Sequence, residues 1–68
     1  MTAKKLKVEP SKCLVIEDSA TGLESAKSAG MFCIIIKNKY NRNQDFSNAD
    51  KTVNNINEVS LDMIESLV

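Results

Sequence analysis

Two apolar runs constrain this chain more than anything else in it. They are Cys13-Leu-Val-Ile16 and Phe32-Cys-Ile-Ile-Ile36, set apart by a segment of helical pattern. A strand with one wet face alternates apolar and polar residues. These runs do not alternate, so each is expected to be covered on both faces, as parallel strands of α/β proteins are. Between them, residues 19–29 read as a helix. Leu23 and Ala26 stand at i, i+3 spacing, Asp18 or Ser19 can cap the start, and Gly30 fits the left-handed position past the end. Its inner face is small (Ala20, Gly22, Ala26, Ala29), which lets a helix lie close against a sheet. Strand, helix and strand make a βαβ unit over 13–36, with a crossover that is right-handed in nearly all such units.

The flanks are less regular. Residues 2–8 read as the end of a helix, with Ala3 and Leu6 on one face and Lys4, Lys5 and Lys7 as solvated charges. Glu9-Pro10-Ser11 stops it, because the residue before a proline is steered out of the helical region. Residues 37–50 are polar and asparagine-rich, and are expected to form a surface loop whose Phe46 docks back on the body; Tyr40 is its other large apolar side chain. In 51–68, Lys51–Val53 reads as a short third strand. Leu61–Leu67 reads as a helix capped by Ser60, with Leu61, Ile64 and Leu67 or Val68 turned inward. The expected fold class is α/β: one unit over 1–68, with a short parallel sheet and flanking helices in three layers. At least one sheet edge is expected to lack its next strand. Phe32–Ile36, uncharged and without proline, is the segment expected to seek one, so self-association through an exposed sheet edge is anticipated.

Composition narrows the partners. Nine basic and nine acidic residues cancel, leaving no basic excess for a generic nucleic-acid binder. No apolar run approaches the ~18 residues of a membrane span. The expected chain therefore meets neither nucleic acid nor membrane. The N-terminal lysines have no apolar segment of signal-peptide type behind them, and two cysteines are too few for a disulfide scaffold; both point to the cytoplasm. With no histidine, Cys13 and Cys33 read as buried small hydrophobes rather than metal ligands.

The chemistry-bearing feature is Glu17-Asp18, directly after the first apolar strand. Carboxylates there lie at the carboxyl edge of a parallel sheet, where open α/β folds bind ligands. Adjacent like charges need water, donors or a cation to stay ionised. Mg²⁺ answers that need with one or two carboxylates, water and phosphate oxygens. The other reading is a helix cap with acids complementing the helix dipole, and no metal.

The stretch Val8-Glu-Pro-Ser-Lys-Cys-Leu-Val-Ile-Glu-Asp-Ser-Ala-Thr-Gly-Leu-Glu-Ser-Ala-Lys-Ser-Ala-Gly-Met31 resembles the fourth motif of the haloacid dehalogenase superfamily. More narrowly it is similar to the β-phosphoglucomutase and sugar-phosphate phosphatase branch. There a strand ends in Glu-Asp-Ser, a glycine follows in the next helix, and Ala-Gly-Met closes it. The resemblance covers residues 2–36 well and is looser at the asparagine-rich loop and at Ala49-Asp50. It implies a partial Rossmann-like core in which Asp18 ligates Mg²⁺, Glu17 ligates it or holds its water, Ser19 caps the helix and Gly22 allows close approach. It also implies what is absent. The family's Asp-x-Asp nucleophile motif, which forms an aspartyl phosphate, does not occur in these residues, nor does its phosphate-binding lysine. The expectation is the C-terminal part of a larger Mg²⁺-dependent phosphatase or mutase acting on a sugar phosphate or other small phosphate. The cap domain and nucleophile lie elsewhere, so the segment itself carries no catalytic residue and no activity. The alternative is a non-enzymatic module, receiver-like or an interaction domain. Receivers place an acceptor aspartate after a later strand, whereas Ile36 is followed here by Lys37-Asn38.

Overall fold

A computed structural model describes residues 4–9, as backbone, and residues 12–67. The elements run β1 (Lys4–Glu9), β2 (Lys12–Glu17), α1 (Ala20–Ser28), β3 (Phe32–Ile36), β4 (Lys51–Val53), a 3-10 turn at Ile56–Glu58 and α2 (Leu61–Leu67). They build one four-stranded sheet in the order β1-β2-β3-β4. The two apolar runs are its centre: β2 and β3 pair in parallel, from Leu14 opposite Phe32 to Glu17 opposite Ile35. β4 joins parallel to β3 with Ile36 opposite Val53, and β1 joins antiparallel to β2.

Both faces of β2 and β3 are covered. On one, Val15, Cys33 and Ile35 pack with Leu23 and Ala26 of α1 and with Phe46 from the loop. On the other, Leu14, Ile34 and Val53 pack with Val59 and with Met63, Ile64 and Leu67 of α2. Residues adjacent along a strand point to opposite faces, so a run of four apolar residues can feed two cores only if helices lie on both sides. The three-layer expectation for the described residues is met. Phe46 is buried as anticipated, and a phenyl ring taken out of water contributes roughly 2–3 kcal/mol.

Helix α1 is bounded by local chemistry. The Ser19 hydroxyl accepts from the Gly22 N–H at 3.0 Å, and Ser19 itself has extended backbone angles. At the far end, the Gly30 N–H donates to the Lys27 carbonyl and the Met31 N–H to the Ala26 carbonyl, both at 3.0 Å. That pair of bonds is the Schellman closure, and it requires the left-handed φ of +76° found at Gly30. In α2, the Met63 N–H donates to the Ser60 hydroxyl at 3.1 Å, the cap expected there.

Four expectations are corrected. Residues 4–9 are a strand, not a helix end. A segment this short cannot hold a helix without tertiary support, whereas β2 presents a ladder edge that pairs every second residue. The sheet is consequently not purely parallel. Phe32–Ile36 is not an open edge, because β2 and β4 flank it; among the described residues the outer strands are β1 and three-residue β4. Leu61 is 70% exposed, and the inward face of α2 is Met63, Ile64 and Leu67. Ala29 also lies exposed as the residue capping α1, so the helix seats on Leu23 and Ala26, with half-buried Ala20 beside them. Pro10, Ser11 and Val68, and the side chains of the N-terminal lysines, lie outside the described residues. No helix among the described residues is long and apolar enough to cross a membrane.

A methyl group at Gly30 would meet nothing within 4 Å, so its requirement is backbone angle alone. Gly30→Ala should destabilise the chain by about 1–2 kcal/mol in urea melts through the left-handed conformation. A neutral result would mean that the helix end can rearrange without the closure.

Candidate metal-binding edge

Glu17 is the last residue of β2 and Asp18 the first beyond it, so both sit at the carboxyl edge of the parallel strands. Glu17 is only 8% exposed. Two residues on from Val15 it shares the α1 face of the sheet, and its carboxylate turns under the first turn of α1. One oxygen accepts from the Asp18 N–H at 2.9 Å. The other lies against the α-carbon of Gly22, where any side chain would collide with the carboxylate. The close approach assigned to Gly22 therefore has a specific beneficiary, the buried Glu17 side chain. Asp18 is half-buried, and no hydrogen bond or ion pair among the described residues engages its carboxylate.

A residue that sequence reading passed over ties this edge together. Asn41 is 3% exposed, deep in a loop otherwise rich in exposed polar groups. Its amide nitrogen donates to the Asp18 carbonyl at 2.8 Å and to the Ile36 carbonyl at 2.9 Å. Its amide oxygen accepts from the Asn38 N–H at 2.8 Å. One side chain thus joins the turn after β2 to the turn after β3. The sequence carries several asparagines in this loop, and nothing in their spacing distinguishes this one. Gln44 adds a second tie, accepting from the Ala20 N–H at 2.7 Å in the first turn of α1.

Below the edge, Asp50 fixes the opposite end of β3. One carboxylate oxygen accepts from the Cys33 N–H and from the Lys27 ammonium, each at 2.8 Å, while the Asp50 N–H donates to the Cys33 carbonyl at 3.0 Å. Lys27, in the last turn of α1, also complements the helix dipole there. Burial pushes the Cys33 thiol up to about 11, with the Glu17 and Asp50 carboxylates adding to the rise and Lys27 opposing it. Cys33 is therefore a core residue, as expected, and a poor nucleophile at neutral pH. Cys13 is half-buried, and both thiols are free.

The donor set suits half of a Mg²⁺ shell. Two adjacent carboxylates, one buried and held, one without a partner among the described residues, could supply the acidic oxygens such an ion takes, with the rest of its shell from water and phosphate. Among the described residues no third acidic, histidine or cysteine side chain joins them. The edge offers two carboxylates that can hold a cation.

An α/β sheet flanked by helices, with paired acids at the carboxyl end of an inner strand, is compatible with a partial Rossmann-like fold. Comparison with known proteins makes the family specific. A CBBY-like protein of Arabidopsis thaliana is 56% identical over 50 residues, covering 74% of this chain and 16% of that protein. The putative phosphatase YhcW of Bacillus subtilis is 38% identical over 64 residues, 94% of this chain and 29% of its own length. A haloacid dehalogenase-like hydrolase domain-containing protein of Arabidopsis thaliana is 38% identical over 66 residues, 97% of this chain and 21% of that protein. The chain belongs to the haloacid dehalogenase-like hydrolases, and it spans between 16% and 29% of the length of these relatives. No protein-family model and no solved structure matches it.

Two outcomes follow from this geometry. Gly22→Ala should cost about 1–3 kcal/mol from overpacking against Glu17, and should become neutral or mildly stabilising in a Glu17→Ala background, because alanine is the better helix former. A double-mutant cycle in urea that shows simple additivity would place the Glu17 carboxylate elsewhere. The raised Cys33 pKa has a definite sign: between its ordinary value of 9.0 and about 11 the unfolded chain loses the thiol proton first, so stability falls as pH rises through that window. Cys33→Ala should flatten this alkaline decline, measured as melting midpoint against pH.

Proposed function

We propose that this chain is the C-terminal, metal-binding portion of the core domain of a haloacid dehalogenase-like phosphoryl-transfer enzyme. The enzyme would act on a sugar phosphate or another small phosphate, with hydrolysis preferred over mutase chemistry. The observation that carries the reading is the placement of Glu17 and Asp18 at the carboxyl edge of β2, with Glu17 locked beneath α1 and Asp18 open. Relatives named as a putative phosphatase and as a bifunctional riboflavin kinase/FMN phosphatase support phosphatase over mutase. The branch, β-phosphoglucomutase-like, rests on the Glu-Asp-Ser…Gly…Ala-Gly-Met pattern over 17–31.

In this reading Asp18 would hold Mg²⁺ directly, and Glu17 would ligate it or orient one of its waters. Bound there, the ion would supply neutralisation of the phosphate charge. The chain's own part is positional. Ser19 starts α1 at the acids, Gly22 makes room for Glu17, and Asn41 holds the Asp18 carbonyl. The nucleophile and the groups that grip the phosphoryl oxygens would come from elsewhere in a longer enzyme, so the segment alone should not turn over substrate.

Mn²⁺ added to the isotope-labelled chain should broaden the amide signals of residues 17–22 first, with dissociation weaker than about 1 mM because the remaining ligands are missing. Asp18→Asn should abolish that broadening while preserving the dispersed spectrum. In a full-length enzyme carrying this segment, Asp18→Asn should lower kcat by at least about 10²-fold, and chelation should do the same to the parent. Near-normal turnover in that variant, or aryl phosphate hydrolysis by the purified 68-residue chain that disappears with Asp18→Asn, would overturn the assignment.

A further inference from the structure

A second feature lies at the carboxyl end of the sheet, where β3 and β4 run out. A depression of about 360 Å³ is lined by Lys37, Asn38, Lys39, Arg42 and Asn54. Its volume is at the lower end of small-molecule sites. Three of the five lining residues are cationic and none is acidic, in a chain whose nine basic and nine acidic residues balance. Among the described residues none of the three cations forms an ion pair; Lys39 instead lies 5.1 Å from the centre of the exposed Tyr40 ring. Three like charges around one concavity repel one another, and a bound anion relieves that repulsion.

The concavity is held from both sides by the backbone. The Lys37 N–H donates to the Val53 carbonyl at 2.7 Å, a last ladder bond that keeps Lys37 beside Asn54. The buried Asn41 side chain fastens the turn that carries Asn38, Lys39 and Arg42 to the Ile36 carbonyl. The Asn38 amide oxygen is already taken, by the N–H groups of Tyr40 and Asn41, which leaves its amide nitrogen as donor. The lining side chains therefore offer ammonium, guanidinium and amide N–H groups. A guanidinium fork with two ammonium groups matches a dianionic tetrahedral oxyanion better than a single carboxylate. Another depression, near Ala20 and Leu23, carries Glu24 and Asp45 and has the opposite charge.

We propose that the Lys37–Lys39–Arg42 depression is an oxyanion site that takes the phosphate group of a small phosphorylated ligand. It does not depend on metal binding by Glu17 and Asp18, and its test contains no metal. Inorganic phosphate titrated into the isotope-labelled chain at constant ionic strength and pH 7.5 should give saturable amide shifts confined to residues 37–42 and 54, with dissociation on the order of millimolar. Glycerol 3-phosphate forms the second arm. Tighter binding than phosphate identifies an organic phosphate as ligand, and equal binding identifies the phosphate group alone; either supports the site. Arg42→Ala and Lys39→Ala should each weaken binding about fivefold with spectral dispersion retained, and Lys51→Ala, an exposed cation elsewhere, should not. Shifts that do not saturate by about 50 mM, or equal binding by Arg42→Ala, would overturn the proposal. So would a single-stranded oligonucleotide binding more tightly than either phosphate with a steep salt dependence, which would mark a nucleic-acid surface. Shifts at these residues that grow with chain concentration in the absence of phosphate would also overturn it, assigning the charge to contact between copies.

Discussion

Everything in this small protein depends on the parallel pairing of two strands that are apolar on both faces. β2 and β3 cannot be satisfied by one layer of cover. Leu14 and Ile34 point one way, Val15, Cys33 and Ile35 the other, and each set needs its own partners. The crossover helix α1 supplies one side. The other is supplied by Val59 and the residues of α2, from the far end of the chain. The loop between β3 and β4 exists to make that return, and it contributes Phe46 to the first core on the way. Removing either cover would expose strand surface that has no polar residue to present to water.

The same pairing creates the edge where function would reside. Parallel strands end together, so the turns after β2, β3 and β4 gather at one rim. Such a rim concentrates unpaired backbone groups, and here side chains answer them. Asn41 takes two carbonyls from two different turns, Ser19 and Gln44 take N–H groups at the start of α1, and the Asp18 N–H is met by Glu17. A buried amide that satisfies three backbone partners is costly to replace, since each partner would be left without a hydrogen bond in a dry setting. These bonds fasten the backbone that carries the two acidic side chains, and the same fastening holds the basic turn beside them.

Charge is partitioned along that rim although the chain is neutral overall. The acids follow β2, and the cations follow β3. Asp50 and Lys27 neutralise each other at the other end of the sheet, where Asp50 also locks the Cys33 backbone. An ion pair placed there keeps formal charge away from the rim. The field at the carboxyl edge is thus set by groups that form no ion pair among the described residues, a condition suited to surfaces that meet charged ligands.

Sequence alone determined the centre of the molecule. The two unbroken apolar runs, the Ser19 cap, the Gly30 stop and the Glu17-Asp18 pair were legible because each is a local signal. Periodicity, cap chemistry and backbone angle all act within a few residues. Phe46 was legible for a related reason, as a large apolar side chain with no other apolar surface nearby. Three things were decided only by the tertiary structure. Residues 4–9 became a strand because β2 offered a ladder, and no pattern of lysines and a leucine can announce a partner's edge. Leu61 faces water because the angle at which α2 meets the sheet selects Met63, Ile64 and Leu67, and spacing fixes which residues share a face but not which face turns inward. Asn41 is buried because two turns distant in sequence converge on it. Its role belongs to hydrogen-bonding groups that only folding brings within reach, and an asparagine among asparagines gives no local sign of that.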